Sequence, residues 1–588
     1  MDTRTLSFPE KTLQVTHDER LTAVEDAAAQ EHDLSFFQAL KLYPKGVFWS
    51  VVMSTALIME GYDTKLISTL FAQPAFQRAY GLAQKNNSYQ ISAPWQAGLT
   101  NGSAIGQLLG LLISGSVCER YGFRITMIVG MAVTMAMIFI PFFASNLVVL
   151  EVGRSFLAQA GSLIQSSGIP LGLFQTIPVV YALEISPISL RAHLTTYVNL
   201  CWYRLNMPKI FGQITATGIL RGVLNMDNSW AYRIPFAIHA HSTFRWFWPV
   251  ILIPAIYFAP ESPWWLVRRG RLGEARDVVT RLTSPQNANF DVDKNITLME
   301  VTTEHERQLN AETSYRACFA GTDLRRTIIV IGCYCIQTLS GNPLRAYSTY
   351  FFQQAGLPTE QAFNMSIVGF ALGIVGMILA WLLIPHCGRR TIYLAGLVLL
   401  FIVLVVIGGL GVPQANSPTP GLAWGIGALL LASSLVYNCT IGPVTYALIA
   451  ELPSALLRSK SVVLARWTYS VLNIIANVIT PYQLNPSAWG WSARTAFFWA
   501  GACLIATVFT YFYIPEPKGR TTAELDILFE RKVSARKFDR TAVNLSEVVG
   551  DNGEKVGRCV SGQNEKQTDW GSLDLAIYAQ LWGKASYQ

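Results

Sequence analysis

Charged side chains fall inside stretches that are otherwise apolar, among them Glu60, Asp63, Glu151, Arg154 and Arg466. A charge at the centre of a bilayer costs about 2.5–3.5 kcal/mol on insertion scales, so such residues are functional candidates by default. Glu60 and Asp63 stand three residues apart and share one helix face. A carboxylate that is desolvated by burial and opposed by a nearby guanidinium can change its proton occupancy as its surroundings change. That is the minimum equipment for coupling a proton to the movement of another solute. Each charge taken alone also reads as half of a permanent structural ion pair. Other chemistries lack their residues. The nine cysteines are scattered, with only Cys333 and Cys335 close together, and His239 and His241 are spaced to face different sides of a helix. No metal site and no cofactor are expected. A Gly-rich loop ending in Gly-Lys-Ser/Thr is absent, as is a GxGxxG loop, which argues against an ATP-driven pump and a dinucleotide enzyme.

The elements that must hold these charges are membrane helices. The chain has 588 residues, of which 51% are hydrophobic and 14% charged, with a mean hydropathy of +0.32. Soluble chains of this size carry about 25% charged residues. Runs long enough for a bilayer, roughly 20 residues each, occur at 47–69, 94–117, 124–144, 147–183, 194–221 and 234–259. Six more follow at 327–352, 363–385, 391–413, 422–450, 460–482 and 493–514. The expected organisation is therefore an N-terminal segment (1–46), a first six-helix bundle (47–259), a hydrophilic connection (260–326), a second bundle (327–514) and a polar tail (515–588). Arginine and lysine gather at Glu119–Arg124, Arg268–Arg271, Gly388–Arg390, Arg458–Lys460 and Lys518–Arg520, all on one side of that span list. The positive-inside bias makes that side the cytoplasm and puts both termini there. The net charge of +8 is thus a topology signal, and no nucleic-acid partner is expected. The opposite side carries a glycosylation sequon at Asn86-Asn87-Ser88.

The two bundles repeat the same landmarks in the same order. Glu119-Arg120-Tyr121-Gly122-Phe123-Arg124 corresponds to Gly388-Arg389-Arg390. Tyr181-Ala182-Leu183-Glu184 followed by Arg191 corresponds to the stretch from Tyr446 to Glu451 followed by Arg458, with seven residues from Glu to Arg in each. Pro260-Glu261-Ser262-Pro263 corresponds to Pro515-Glu516-Pro517. An arginine at a short turn can pair with a carboxylate on a neighbouring helix end and latch the bundle on that side. Such latches must break when two halves rock about a central site.

With these motifs the chain resembles the sugar-porter branch of the major facilitator superfamily over roughly residues 35–535, and within it the fungal maltose permeases, which are alpha-glucoside:proton symporters. The likeness is carried by Ala56–Asp63, Gly168–Thr176, Leu194–Trp202, Pro260–Leu266, Tyr347–Phe352 and Thr480–Pro486. It implies an all-α membrane protein with the major facilitator fold, twelve transmembrane helices in two pseudo-symmetric six-helix bundles. It implies a monomer in the lipid bilayer of the plasma membrane that takes a sugar and a proton and is not an enzyme. Glu60, Asp63, Arg154 and Arg466 would couple the proton, with Asp63 and Arg154 as the leading pair. Gln175, Asn199, Gln213, Gln337, Asn342, Tyr347 and Asn473 would bind the sugar, although amides in membrane helices also bond to neighbouring helices. A hexose facilitator or symporter, or a sugar sensor that moves nothing, remains as an alternative.

The chain also departs from the family. Gln107 stands in span 2 where these symporters carry a glutamate, and Arg345 stands in span 7 where a neutral residue would face the sugar. Arg345 is expected either to bind an anionic cargo or to reach for the bilayer surface. Segments 158–167, 203–209 and 239–244 interrupt spans 4, 5 and 6 and read as translated introns. The tail beyond about residue 535 is polar and expected to be disordered.

Overall fold

The computed structural model describes residues 41–84, 89–137, 168–185, 207–228, 230–237, 247–283, 291–312, 315–454, 457–518, 520, 522–538 and 541. In the first half the helices are α1 (Pro44–Ser54), α2 (Ala56–Leu70), α3 (Pro74–Tyr80), α4 (Ala93–Tyr121), α5 (Phe123–Met137), α6 (Gly168–Glu184), α7 (Met207–Gly222), α8 (Trp230–Ala237) and α9 (Phe247–Phe258). The hydrophilic connection folds into α10 (Pro263–Arg268), α11 (Leu272–Leu282) and α12 (Val292–Glu312). The second half holds α13 (Gly321–Leu339), α14 (Asn342–Ala346), α15 (Ser348–Gln354), α16 (Thr359–His386), α17 (Arg389–Asn416), α18 (Pro420–Cys439), α19 (Ile441–Glu451), α20 (Arg458–Leu484) and α21 (Thr495–Tyr513).

Among the described residues six helical stretches are long and apolar enough to cross a bilayer: Ala93–Tyr121, Thr359–Ile384, Arg389–Asn416, Pro420–Ile449, Lys460–Leu484 and Ser492–Tyr513. Shorter apolar helices occupy Phe123–Ala136, Gly168–Ala182 and Pro249–Phe258. The interrupting segments 158–167 and 239–244, and residues 203–206, lie outside the described residues, as does the sequon. Met207, Pro208 and Lys209 form the first turn of α7. One small departure from an all-helical chain is an antiparallel pair of two-residue strands, Leu82–Ala83 with Tyr89–Gln90. At the start of the polar tail, a helix α22 (Thr522–Glu530) buries Leu525, Leu528 and Phe529 in the main core.

Close packing of α4 against α6 follows from small residues four apart. A Cβ on Gly110 would lie 2.3 Å from the Ile169 carbonyl oxygen, and one on Gly168 would lie 2.7 Å from the Gly106 Cα. The two backbones therefore touch, the arrangement that small-xxx-small pairs allow between membrane helices. In the second half, span 7 is broken. Helix α13 stops at Leu339, Gly341 adopts φ 81° and α14 restarts at Asn342. Glycine adopts that left-handed conformation at no steric cost.

The core is asymmetric along the helices. One buried cluster joins Tyr62, Leu66, Phe71 and Phe76 of the first half to Tyr350, Phe351 and Phe352 of the second. The other contains first-half and connection residues alone, among them Met53, Phe123, Phe174, Tyr181 and Trp265. Hydrogen bonds across the halves gather at the end opposite the Glu/Arg motifs: Tyr347 Oη donates to Thr100 Oγ1 (3.0 Å), Asn485 Nδ2 to the Ile91 carbonyl (2.6 Å) and Tyr350 Oη to Gln90 Oε1 (3.2 Å). That end is sealed.

Candidate functional site

A cavity of about 390 Å³ lies between the halves, and α2, α4, α6 and α7 face α13–α16, α18, α19 and α20 across it. Its size falls within the range of small-molecule sites, roughly 300–1,000 Å³. Six of the seven residues expected to bind sugar line it: Gln175, Gln213, Gln337, Asn342, Tyr347 and Asn473. The seventh, Asn199, lies outside the described residues. Gln337 is 4% exposed and accepts a bond from Tyr437 Oη at 3.4 Å. Asn473 Oδ1 accepts from Thr338 Oγ1 at 2.8 Å, so part of its capacity already serves a neighbouring helix.

Gln175 is the centre of the polar wall. Its Nε2 donates to Glu60 Oε1 at 2.7 Å and to Gln107 Oε1 at 3.2 Å. Its Oε1 accepts from Arg466 Nη2 at 2.9 Å. One neutral amide thus links a carboxylate of the first half to a guanidinium of the second. An amide can do this because it carries donor and acceptor on one planar group. Gln107 completes the set by donating to Ser103 Oγ at 3.2 Å. Where a glutamate would titrate, this chain has a group that only passes hydrogen bonds on.

Of the residues expected to couple the proton, Glu60 and Arg466 line the cavity. Asp63 is 4% exposed on α2 and lies outside the lining. Arg154, its expected partner, falls outside the described residues, as does Glu151.

The residues expected to form latches, Arg191 apart, lie at one end of the helices, with partners that depart from simple Glu–Arg pairing. Glu261 accepts the backbone N–H groups of Phe123 (3.0 Å) and Arg124 (3.3 Å) at the start of α5. Glu516 does the same for Arg389 (2.8 Å) and Arg390 (3.0 Å) at the start of α17. Both carboxylates therefore cap helix N-termini, where free N–H groups and the helix dipole attract an anion. Gly122 and Gly388 make room: a Cβ there would sit 2.6 Å and 2.2 Å from the capping Oε2. Burial pushes the Glu261 carboxyl above its ordinary value, against the backbone donors that favour its anion.

Glu184 pairs with Arg268 of α10 at 2.6 Å and also accepts from Ser262 Oγ. Its counterpart Glu451 pairs with Arg389 at 3.3 Å, and burial outweighs that arginine in raising the Glu451 carboxyl. Glu119 and Arg120 make their described bonds through main-chain carbonyls, to Trp265 Nε1 (2.9 Å) and to Arg269 Nη2 (2.9 and 2.7 Å). Arg124 and Arg390 reach the carbonyls of Ala259 and Tyr511. Arg191 lies outside the described residues, and Arg458 opens α20.

Sequence reasoning overlooked Lys65, Tyr437 and Thr100. Lys65 is 3% exposed, and its Nζ donates across the halves to the Ala346 carbonyl (2.6 Å) and Ser348 Oγ (3.1 Å). The signal was available, since Lys65 is a charge inside span 1 two residues beyond Asp63.

Two helical bundles, sealed at one end and holding a polar cavity at their interface beside a broken helix, define a membrane carrier that opens its central site to one side at a time. The chain belongs to the sugar (and other) transporter family, which matches residues 49–529. Among its relatives is the general alpha-glucoside permease of Saccharomyces cerevisiae, 40% identical over 524 residues that cover 88% of this chain and 81% of that protein. The maltose permease MAL31 of the same species is 38% identical over 533 residues, covering 90% and 82%. The inward open conformation of the xylose transporter XylE from E. coli superposes with a TM-score of 0.62 at 17% identity, over 82% of this chain and 99% of that one. The fold is accordingly the major facilitator fold of twelve helices in two bundles, as the resemblance implied.

Proposed function

We propose that this chain carries maltose-type alpha-glucosides together with a proton across the plasma membrane by alternating access, both termini being cytoplasmic. The observation that carries the reading is the bridge Glu60–Gln175–Arg466 across the cavity. Sugar hydroxyls compete for the same amide. A proton on Glu60 Oε1 turns that oxygen from an acceptor into a donor and releases Gln175 Nε2. Sugar and proton thus act on one link between the halves, and its loss lets them rock. The sealed end then corresponds to the outside, and the cavity opens toward the Glu/Arg motifs. Relatives named for alpha-glucosides at about 40% identity support the cargo class. Gln107 leaves span 1 as the place where the proton binds.

The test is uptake of labelled maltose and glucose in a transporter-null yeast, at acidic and neutral pH, with and without an uncoupler. Maltose uptake should be faster at acidic pH, fall with the uncoupler and exceed glucose uptake. Uptake indifferent to pH and uncoupler would remove the proton from the scheme. Binding of maltose without any uptake would identify a sensor.

A further inference from the structure

The charge of the cavity does not match a neutral sugar. Lys65, Arg345 and Arg466 line it, and Glu60 is the acid among the described lining residues. Arg466 is bound into the Gln175 bridge. Lys65 and Arg345 are different: both are buried, at 3% and 9% exposure, and neither forms an ion pair with a described residue. Lys65 uses two of its three N–H groups, on Ala346 O and Ser348 Oγ. Arg345 uses two of its five, on Ser340 O and Ser340 Oγ at 3.2 Å each.

The two cations are also neighbours. The carbonyl that Lys65 grips belongs to Ala346, the residue directly after Arg345. Both rest on aromatic faces, Lys65 5.2 Å from the Phe370 ring centre and Arg345 4.3 Å from that of Tyr437. Rings stabilise a cation without neutralising it. Two uncompensated positive groups at mid-membrane are costly, and Arg345 is held at the break between α13 and α14 by its bonds to Ser340. An anion delivered by the cargo would supply the missing charge and the missing acceptors together.

We propose that the preferred cargo is an alpha-glucoside bearing a carboxylate, bound with its anionic end against Lys65 and Arg345 and its neutral glucosyl unit against the amides around Gln175. This refines the alpha-glucoside reading and rests on it. Carried with one proton, a monoanion crosses with no net charge.

Two probes share one skeleton and differ in a single group: maltobionate, in which the aldehyde of maltose is oxidised to a carboxylate, and maltitol, in which it is reduced to an alcohol. Binding to the purified full chain is measured by titration calorimetry, with maltose and gluconate alongside. Maltobionate should bind about tenfold or more tighter than maltitol, the effect of a charge-assisted hydrogen bond. Lys65→Met and Arg345→Gln should each shrink that ratio, with maltitol as the reference within each variant. Maltitol binding as tightly as maltobionate, with maltose also bound, overturns this inference and leaves the alpha-glucoside reading intact. Gluconate binding as tightly as maltobionate overturns the glycoside part. Failure of all the glucosides to bind overturns both readings.

Discussion

Replacing Gly172 with alanine would place a methyl carbon 2.4 Å from the Gln107 carbonyl oxygen and 2.8 Å from the Gly110 Cα. Ordinary C···O contacts begin near ~3.3 Å, so α4 and α6 must part by roughly 1 Å. Neither contact is the tip of a flexible side chain, and the strain cannot be relieved by a rotamer change. Overpacking of this kind costs about 1–3 kcal/mol, while alanine in place of glycine returns about 1 kcal/mol of helix propensity. The net expectation is a loss of up to roughly 2 kcal/mol. Function should suffer more than stability. The Gln175–Gln107 bond is already 3.2 Å long, and the same parting takes it beyond hydrogen-bond reach, loosening the amide that bridges the halves. Thermal unfolding in detergent and maltose uptake are measured on Gly172→Ala beside Gly218→Ala on α7, where a Cβ meets nothing within 4 Å. The control should be at least as stable as the native chain. If Gly172→Ala matches the control in both assays, the close approach of α4 and α6 is not what positions Gln175.

Glu60→Gln should abolish uphill accumulation of sugar but retain exchange of labelled for unlabelled maltose at equal concentrations; a variant that still accumulates sugar places the proton elsewhere. Glu516→Ala strips the acceptor from the Arg389 and Arg390 N–H groups and should lower stability by about 1–3 kcal/mol, read by thermal unfolding, with Glu261→Ala showing a similar loss. Because burial raises the Glu451 carboxyl above its ordinary 4.5, the folded chain binds that proton more tightly than the unfolded one. Its contribution is present at low pH and declines as pH rises above about 4.5, so Glu451→Gln should flatten the stability profile just above that pH, and an unchanged slope would refute the assignment. Sequencing the transcript should yield a message lacking codons for 158–167, 203–209 and 239–244; one that retains all three makes them part of the working protein.

Much of the cavity was legible because charges and amides stand out against apolar spans. Gln175, Gln337 and Asn473 sit in stretches where little else can accept a hydroxyl. The latch partners were not legible, and for a physical reason. Glu261 and Glu516 look like half of an ion pair when matched only against nearby arginines, yet their strongest claim is on backbone N–H groups, which every sequence has and none displays. The clue was the glycine before each helix start, Gly122 and Gly388. Glu184 bonding to Arg268 depends on how the chain turns at Ser262, which places α10 back under the first bundle. The role of Lys65 was hidden for a different cause: its partners, Ala346 and Ser348, lie 281 and 283 residues along the chain, where no local motif displays them. The sealed end was beyond sequence altogether, since Asn485 and Ile91 lie 394 residues apart.

Tyr347 occupies a double position, lining the cavity while its hydroxyl ties the second half to Thr100 of the first. On the proposed reading, drift at this site that reshapes what the carrier accepts also alters how readily it opens. Selectivity and turnover therefore cannot be inherited as separate traits here: a lineage that broadens its diet through Tyr347 changes its pace in the same step and needs a compensating change elsewhere in the seal.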